Sequence, residues 1–219
     1  KVTAIMLDKA VAFLQREIKE EVARAKREKH TLYIGTAHLN YLYIRALLNQ
    51  PADETTRLLT KLALKQAPTA TMDFKALLAV VLQKTGDKKE AKTLRESLKE
   101  HTVSAPAFGR YFDTQRTRFS SQWYRIPAQV ATIEALRASG NAADEKVANE
   151  MRLWLIQSKR TEMWQAGRTS ADAVYALLAA YNDRQPVMSL NTSERPMTYS
   201  LYQGSHLVGF NAPSKAKGL

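Results

Sequence analysis

The chain has 219 residues, of which 45% are hydrophobic, with 33 Lys and Arg against 21 Asp and Glu, a formal net charge of +12 and no cysteine. This length suits one domain, or one domain with an appendage, and buries about 70% of its unfolded surface without staples. Without cysteine there is no disulfide framework, no thiolate-held metal and no thiol nucleophile, and no apolar run approaches the roughly 20 residues of a membrane span.

Helical periodicity dominates from the start. Leu7, Val11, Leu14, Ile18, Val22 and Ala25 form one stripe at alternating four- and three-residue steps. Thr36 suits the cap of a helix carrying Leu39, Leu42, Tyr43, Ala46 and Leu47. Pro51 suits the first turn of the next helix, which carries Leu58, Leu59 and Leu62. Thr71 opens a helix with Phe74, Leu77, Leu78, Val81 and Leu82, and Gly86 stops it. Asp87 followed by Glu90 predicts a capping box before Ala91, Leu94 and Leu98. Val130, Ile133 and Leu136 lead to Gly140, and Asp144 then starts a helix through Val147, Met151, Trp154 and Leu155. Thr169 with Asp172 starts the last, through Val174, Leu177, Leu178 and Tyr181. About eight helices with mostly short joints read as a succession of antiparallel hairpins.

Two stretches break this pattern. Residues 102–126, "TVSAPAFGRYFDTQRTRFSSQWYRI", are too long for an ordinary joint and rich in aromatics, so they are functional or have structure of their own. From Pro186 onward the helical spacing stops; Met197, Tyr199 and Leu201 alternate, and "HLVGF" follows Gly204, which predicts strands. Too few strands follow to stand alone, so they either cover the helices or begin a further β-domain. The predicted division is 1–185 helical and 186–219 β-rich. The opening "KVTAIMLDKA" has neither an initiator Met nor a signal-like apolar block, and reads as a fragment or processed product.

The positive charge is scattered. "REIKEEVARAKREKH" interleaves both signs as a solvated helix face does, and no basic block alternates with aromatics, so nucleic acid is not the expected partner. His30, His38, His101 and His206 lie far apart, and none has a metal-ligand spacing to a second His or carboxylate. Gly-x-Ser-x-Gly and glycine-rich phosphate loops are missing. Asp113, Asp183 and Glu194 fall outside predicted helices and are the candidates from which a toroid enzyme acting on carbohydrate or lipid would draw its two acids, although nothing around them marks them out. "GDKKEAKTLRESLKE" is similar to the second helix of a tetratricopeptide hairpin, which would make a protein-binding repeat module, but no second copy follows at the required period. No catalytic, cofactor-binding or metal-ligating residue is assigned, and no cofactor is expected.

The aromatics are the strongest local signal. Trp154 closes an apolar stripe, whereas Trp164 lies in a polar link between helices, and Trp123 with Tyr124 in the preceding long joint. If the hairpins wind into a ring, joints on one face converge on its axis, and indoles there would stopper the core.

"WLIQSKRTEMWQAGRTSADAVYALL" resembles the helix–loop–helix near the end of the thioester-type α/α toroid of bacterial alpha-2-macroglobulin-like proteins. Trp154, Leu155, Gln157, Trp164, Ala171, Asp172, Ala173, Tyr175, Ala176 and Leu177 carry the likeness, with Ser170 where Thr is expected. Upstream, "LLAVVLQKTGDKKEAKTLRESLKEHTV" and then "FGRYF…WYRIPAQVATIEAL" keep the order of such toroids, so the likeness runs from about residue 75 to 183. It implies an all-α fold, a partial α/α toroid, with the β-rich tail leading into a β-sandwich domain. It also implies a non-catalytic part of a large exported, periplasmic or cell-surface protease inhibitor, which is cut in a bait segment and closes around the protease. The implied partners are target proteases and neighbouring β-sandwich domains, with membrane contact only through a lipid anchor outside these residues. Members with a thioester carry Cys-x-Glu-Gln; this chain has no Cys, so none forms within it, and no functional residue is carried over.

Overall fold

The computed structural model describes residues 4–115, 117–119, 125–161, 167–179, 188–191, 196–201 and 208–210. The fold is mostly helical, with a small two-stranded sheet inserted among the helices. The chain divides into two compact units, Lys1–Ala173 and Val174–Leu219.

In the first unit, α1 (Ala4–Glu28) buries Val11, Ile18, Val22 and Ala25, in the phase its stripe predicts, while Ile5, Met6, Leu7 and Phe13 near its start stay exposed. The connection to α2 (Thr36–Leu47) is held like a strand. The Ile34 N–H donates to Gln66 Oε1 at 2.7 Å, and Gln66 Nε2 donates back to the Ile34 carbonyl at 3.3 Å. Thr36 is the first helical residue and not the cap: Gly35 takes that place, and its N–H donates to Nδ1 of His38, three residues on, at 3.2 Å.

Pro51 likewise lies before the next helix. α3 (Glu54–Gln66) starts at Asp53, whose carboxylate accepts the Thr56 N–H at 2.8 Å and the Thr56 hydroxyl at 2.6 Å. The Pro51 carbonyl accepts instead from Arg45 Nη2 at 2.6 Å, which fastens the end of α2 to the joint. A short 3-10 turn (Ala67–Thr69) leads to α4 (Met72–Thr85), which has Thr71 at its N-cap position without a side-chain capping bond and is ended by Gly86 at φ 101°, a left-handed position that costs glycine nothing.

α5 (Lys88–Glu100) starts at Asp87 as expected, although the Asp87 side chain makes no capping bond. The long aromatic joint then resolves into a hairpin of β1 (Thr102–Ala105) and β2 (Gly109–Phe112), antiparallel, with Val103 opposite Tyr111 and Ala105 opposite Gly109. α6 (Arg125–Arg137) and α7 (Ala142–Thr161) follow, and α8 (Gly167–Leu178) begins in the first unit and runs into the second.

Packing separates the helices by role. α4 lies against α2, α5 and α6, and α6 lies against α4 and α7. α4 and α6 are accordingly buried along most of their lengths; Leu78, Val81, Leu82, Ile133 and Leu136 have almost no exposed surface. Each such large aliphatic side chain contributes about 1.5–3 kcal/mol by leaving water. α5 is amphipathic instead, burying Ala91, Leu94, Arg95 and Leu98 and leaving Lys88, Lys89 and Lys92 outside. Strand β2 rests on α7, where Gly109 comes so close that a Cβ would sit 2.3 Å from the Glu150 carbonyl and 2.9 Å from the Trp154 nitrogen.

In the second unit, β3 (Met188–Asn191), β4 (Pro196–Leu201) and β5 (Val208–Phe210) pair antiparallel in that order, with Met188 opposite Tyr199 and Tyr199 opposite Phe210.

Candidate functional site

Among the described residues, those that sequence nominated do not gather into one site. His30 is exposed, with Nδ1 3.4 Å from the Glu28 carboxylate. His38 is buried, with Nδ1 spent on the Gly35 N–H and Nε2 3.2 Å from Glu21 Oε2 across on α1. His101 ends α5, its Nδ1 2.7 Å from the Ser97 carbonyl, the last-turn role expected of a helix-terminal histidine. Asp113 accepts the Gln115 N–H at 3.0 Å, a turn contact that shapes the chain leaving β2. His206, Asp183, Glu194, Trp123 and Trp164 lie outside the described residues. Among the described residues no group of three or more His, Asp or Glu is arranged to hold a metal ion.

Trp154 is 6% exposed, as its stripe requires. It also forms one side of a stack: the Tyr111 ring of β2 lies 5.9 Å away at 26°, and the Arg125 guanidinium lies 4.6 Å from the indole and 5.8 Å from the Tyr111 ring. Around it, Arg110 Nε donates to Glu150 Oε2 at 2.8 Å, and the wholly buried Gln129 donates from Nε2 to the Arg110 carbonyl at 2.7 Å and to that of Met151 at 3.3 Å. These contacts seat the hairpin on α6 and α7 through polar groups on all three elements.

A second polar cluster joins α5 to α7. Asp144 accepts from Arg95 Nε at 3.0 Å, from Lys99 Nζ at 3.0 Å and from Asn141 Nδ2 at 2.8 Å, while Arg95 Nη1 also reaches Gln83 of α4 at 3.0 Å. Asn141 accepts the Asp144 N–H at 2.7 Å, so Asn141 caps α7, and Asp144, expected to start that helix, is freed to pair with α5. Burial pushes the Asp144 carboxyl up, but hydrogen bonds from Lys99, Ser139 and Asn141 and the charge of Lys99 outweigh it and hold the group below the usual carboxylate range.

The third cluster carries the most chemistry. Tyr43 of α2 donates its hydroxyl to Glu134 Oε1 of α6 at 2.5 Å, across 91 residues of sequence. Burial pushes the Glu134 carboxyl up; the Tyr43 bond and the charges of Lys84 and Arg137 pull it down by less, and Asp172 adds to the rise. Residues of α2, α4, α6 and α8 therefore act on one carboxyl that keeps its proton longer than a solvated glutamate would. The arrangement can store a proton and bond α2 to α6.

Sequence reasoning took Tyr43 as core and passed over Glu134, Arg95 and the pairing role of Asp144. The trace of each was a charge in phase with an apolar stripe: Glu134 with Val130, Arg95 with Ala91 and Leu98, Asp144 with Ala148 and Met151. No protein-family model, curated protein or solved structure matches the chain.

Proposed function

We propose that this chain is a non-catalytic helical domain of a bacterial alpha-2-macroglobulin-like protease-trapping protein, exported to the periplasm or cell surface. In this reading the first unit is an arc of an α/α toroid, and the β-rich tail begins a following β-sandwich domain. One structural observation supports it above others: α4 packs on α2 and on α6, its neighbours but one in sequence, while α5 packs on α4 and α7 on α6. Alternate helices share one layer and the intervening ones back it, the pattern that hairpins wound into a toroid produce. The sequence likeness from about residue 75 to 183 spans most of α4 and all of α5, α6, α7 and α8, but not α2.

The polar clusters fit a scaffold. The buried Asp144 spends its acceptors on cross-helix bonds, and the polar groups around Trp154 are spent seating the hairpin. A domain of this kind works by holding shape while the parent protein closes on a protease, so rigid cross-braces serve it better than an open cleft.

The test uses the full-length protein that carries this chain, mixed with a panel of endoproteases. Trapping predicts a stoichiometric complex on a native gel, in which the protease still cleaves a small chromogenic peptide but no longer digests a large protein. Undiminished digestion of the large protein by every protease, with no complex, rejects the proposal. So does a full-length reading frame with neither an export signal nor flanking β-domains.

A further inference from the structure

Lys75 is a lysine in an unusual position. It is the fourth residue of α4, a helix packed against α2, α5 and α6, and only 6% of it is exposed. Buried lysines are normally paired, because an unpaired ammonium away from water is costly. Lys75 has no hydrogen-bond or ion-pair partner for its amine among the described residues, in contrast to Lys99, which holds Glu96 at 2.7 Å and Asp144 at 3.0 Å. Among the described residues, fully enclosed side-chain nitrogens without a hydrogen bond do occur, Arg45 Nε and Arg125 Nε among them. The Lys75 amine is not one of these, so the little surface that this residue exposes includes its tip. The stem is sheathed and the nitrogen is reachable.

We propose that Lys75 is an acyl-acceptor site, a sparsely hydrated amine that takes an acyl group from a small acyl phosphate. The nitrogen adds to the carbonyl carbon, the carbon–oxygen bond to phosphate breaks, and inorganic phosphate leaves with the bonding pair. The nitrogen then gives its extra proton to water, leaving an amide. Only the uncharged amine attacks, and burial favours that form: it pulls the Lys75 ammonium below the usual lysine range, against the opposing charge of Glu100 at the end of α5. Lys99 is pushed the other way: burial lowers it, but the hydrogen bonds it donates to Glu96 and Asp144, and their charges, prevail. A small donor is required because so little of the side chain is open. The acylated product also suits the site, since an amide carries no charge to bury.

The experiment incubates the full chain with acetyl phosphate at pH 7.5 and follows each lysine by peptide mass spectrometry, native and in guanidinium. In the native chain Lys75 is expected to gain acetyl at least about threefold faster than Lys99, a preference that unfolding erases. Glu100 is exposed at a helix end, so Glu100→Gln leaves the fold intact, and it is expected to speed Lys75 further without changing Lys61. If native Lys75 reacts no faster than Lys99, or its advantage persists in guanidinium, or Glu100→Gln slows it, the site is not what we propose.

Discussion

Replacing Arg95 by Met tests how far the α5–α7 cluster braces the helices. The Arg95 and Asp144 side chains keep only 6% and 4% of their surface, so their ion pair is shielded from water and salt. Met preserves most of the buried stem, and the loss is therefore chiefly that of the guanidinium. Asp144 is left with Lys99 Nζ at 3.0 Å and Asn141 Nδ2 at 2.8 Å. Stranding one member of a buried pair costs about 3–5 kcal/mol; with two donors remaining, about 2–3 kcal/mol is expected. In a domain of this size each kcal/mol moves Tm by about 2–4 °C, which puts the variant roughly 4–12 °C lower.

Urea denaturation of the full chain followed by far-ultraviolet circular dichroism at pH 7 measures the loss. In the cycle with Asp144→Asn, the double variant should be less destabilised than the sum of the singles by about 1 kcal/mol or more. The pH dependence gives a further check. The folded Asp144 carboxyl lies below its unfolded value, so its stabilisation is complete above about pH 4, the unfolded range, and disappears as pH falls through the folded value. The wild-type chain should thus lose more stability than Asp144→Asn below about pH 4. A change of less than about 0.5 kcal/mol for Arg95→Met, the ordinary effect of a surface substitution, would refute the reasoning.

Gly109→Ala should cost about 3 kcal/mol or more in the same assay, because its φ of 77° and the 2.3 Å approach to the Glu150 carbonyl both oppose a side chain. Gly86→Ala, at φ 101° with open space around it, should cost only about 1 kcal/mol, and equal losses at the two positions would overturn the close-approach argument. Glu134 is held above its unfolded value, so its stabilisation is full below that value and fades as pH rises through the folded one. Between about pH 4 and 7 the melting temperature of the wild type should therefore fall relative to Glu134→Gln, and parallel curves would contradict this. Tyr43→Phe removes a bond that lowers Glu134, and should move the fall to higher pH.

What could be read in the sequence is what a local period encodes. The stripe on α1 buries Val11, Ile18 and Val22 because seven residues bring a side chain back to nearly the same azimuth, and Gly86 ends α4 because the left-handed turn needs no partner elsewhere. Capping proved less legible, since several nearby groups compete for the same N–H. His38 supplies the acceptor at α2 that a hydroxyl was expected to give, Asp53 displaces Pro51 at α3, and Asn141 displaces Asp144 at α7. The β1–β2 hairpin was hidden for another reason: four-residue strands are too short to establish an alternation, and their register is set by the seat of Gly109 on α7, which lies some forty residues further on.

The polar clusters escaped notice because 49 residues separate Arg95 from Asp144 and 91 separate Tyr43 from Glu134, and no local rule links such positions. A charge standing in phase with an apolar stripe nevertheless carries information, because burying it alone would cost more than the stripe around it returns. Arg95, Asp144 and Glu134 each stand so, and each has a partner on another helix. In a chain of packed hairpins, such charges mark the faces where one helix must meet another in a single register, because sliding by one turn would leave the charge buried and unpaired.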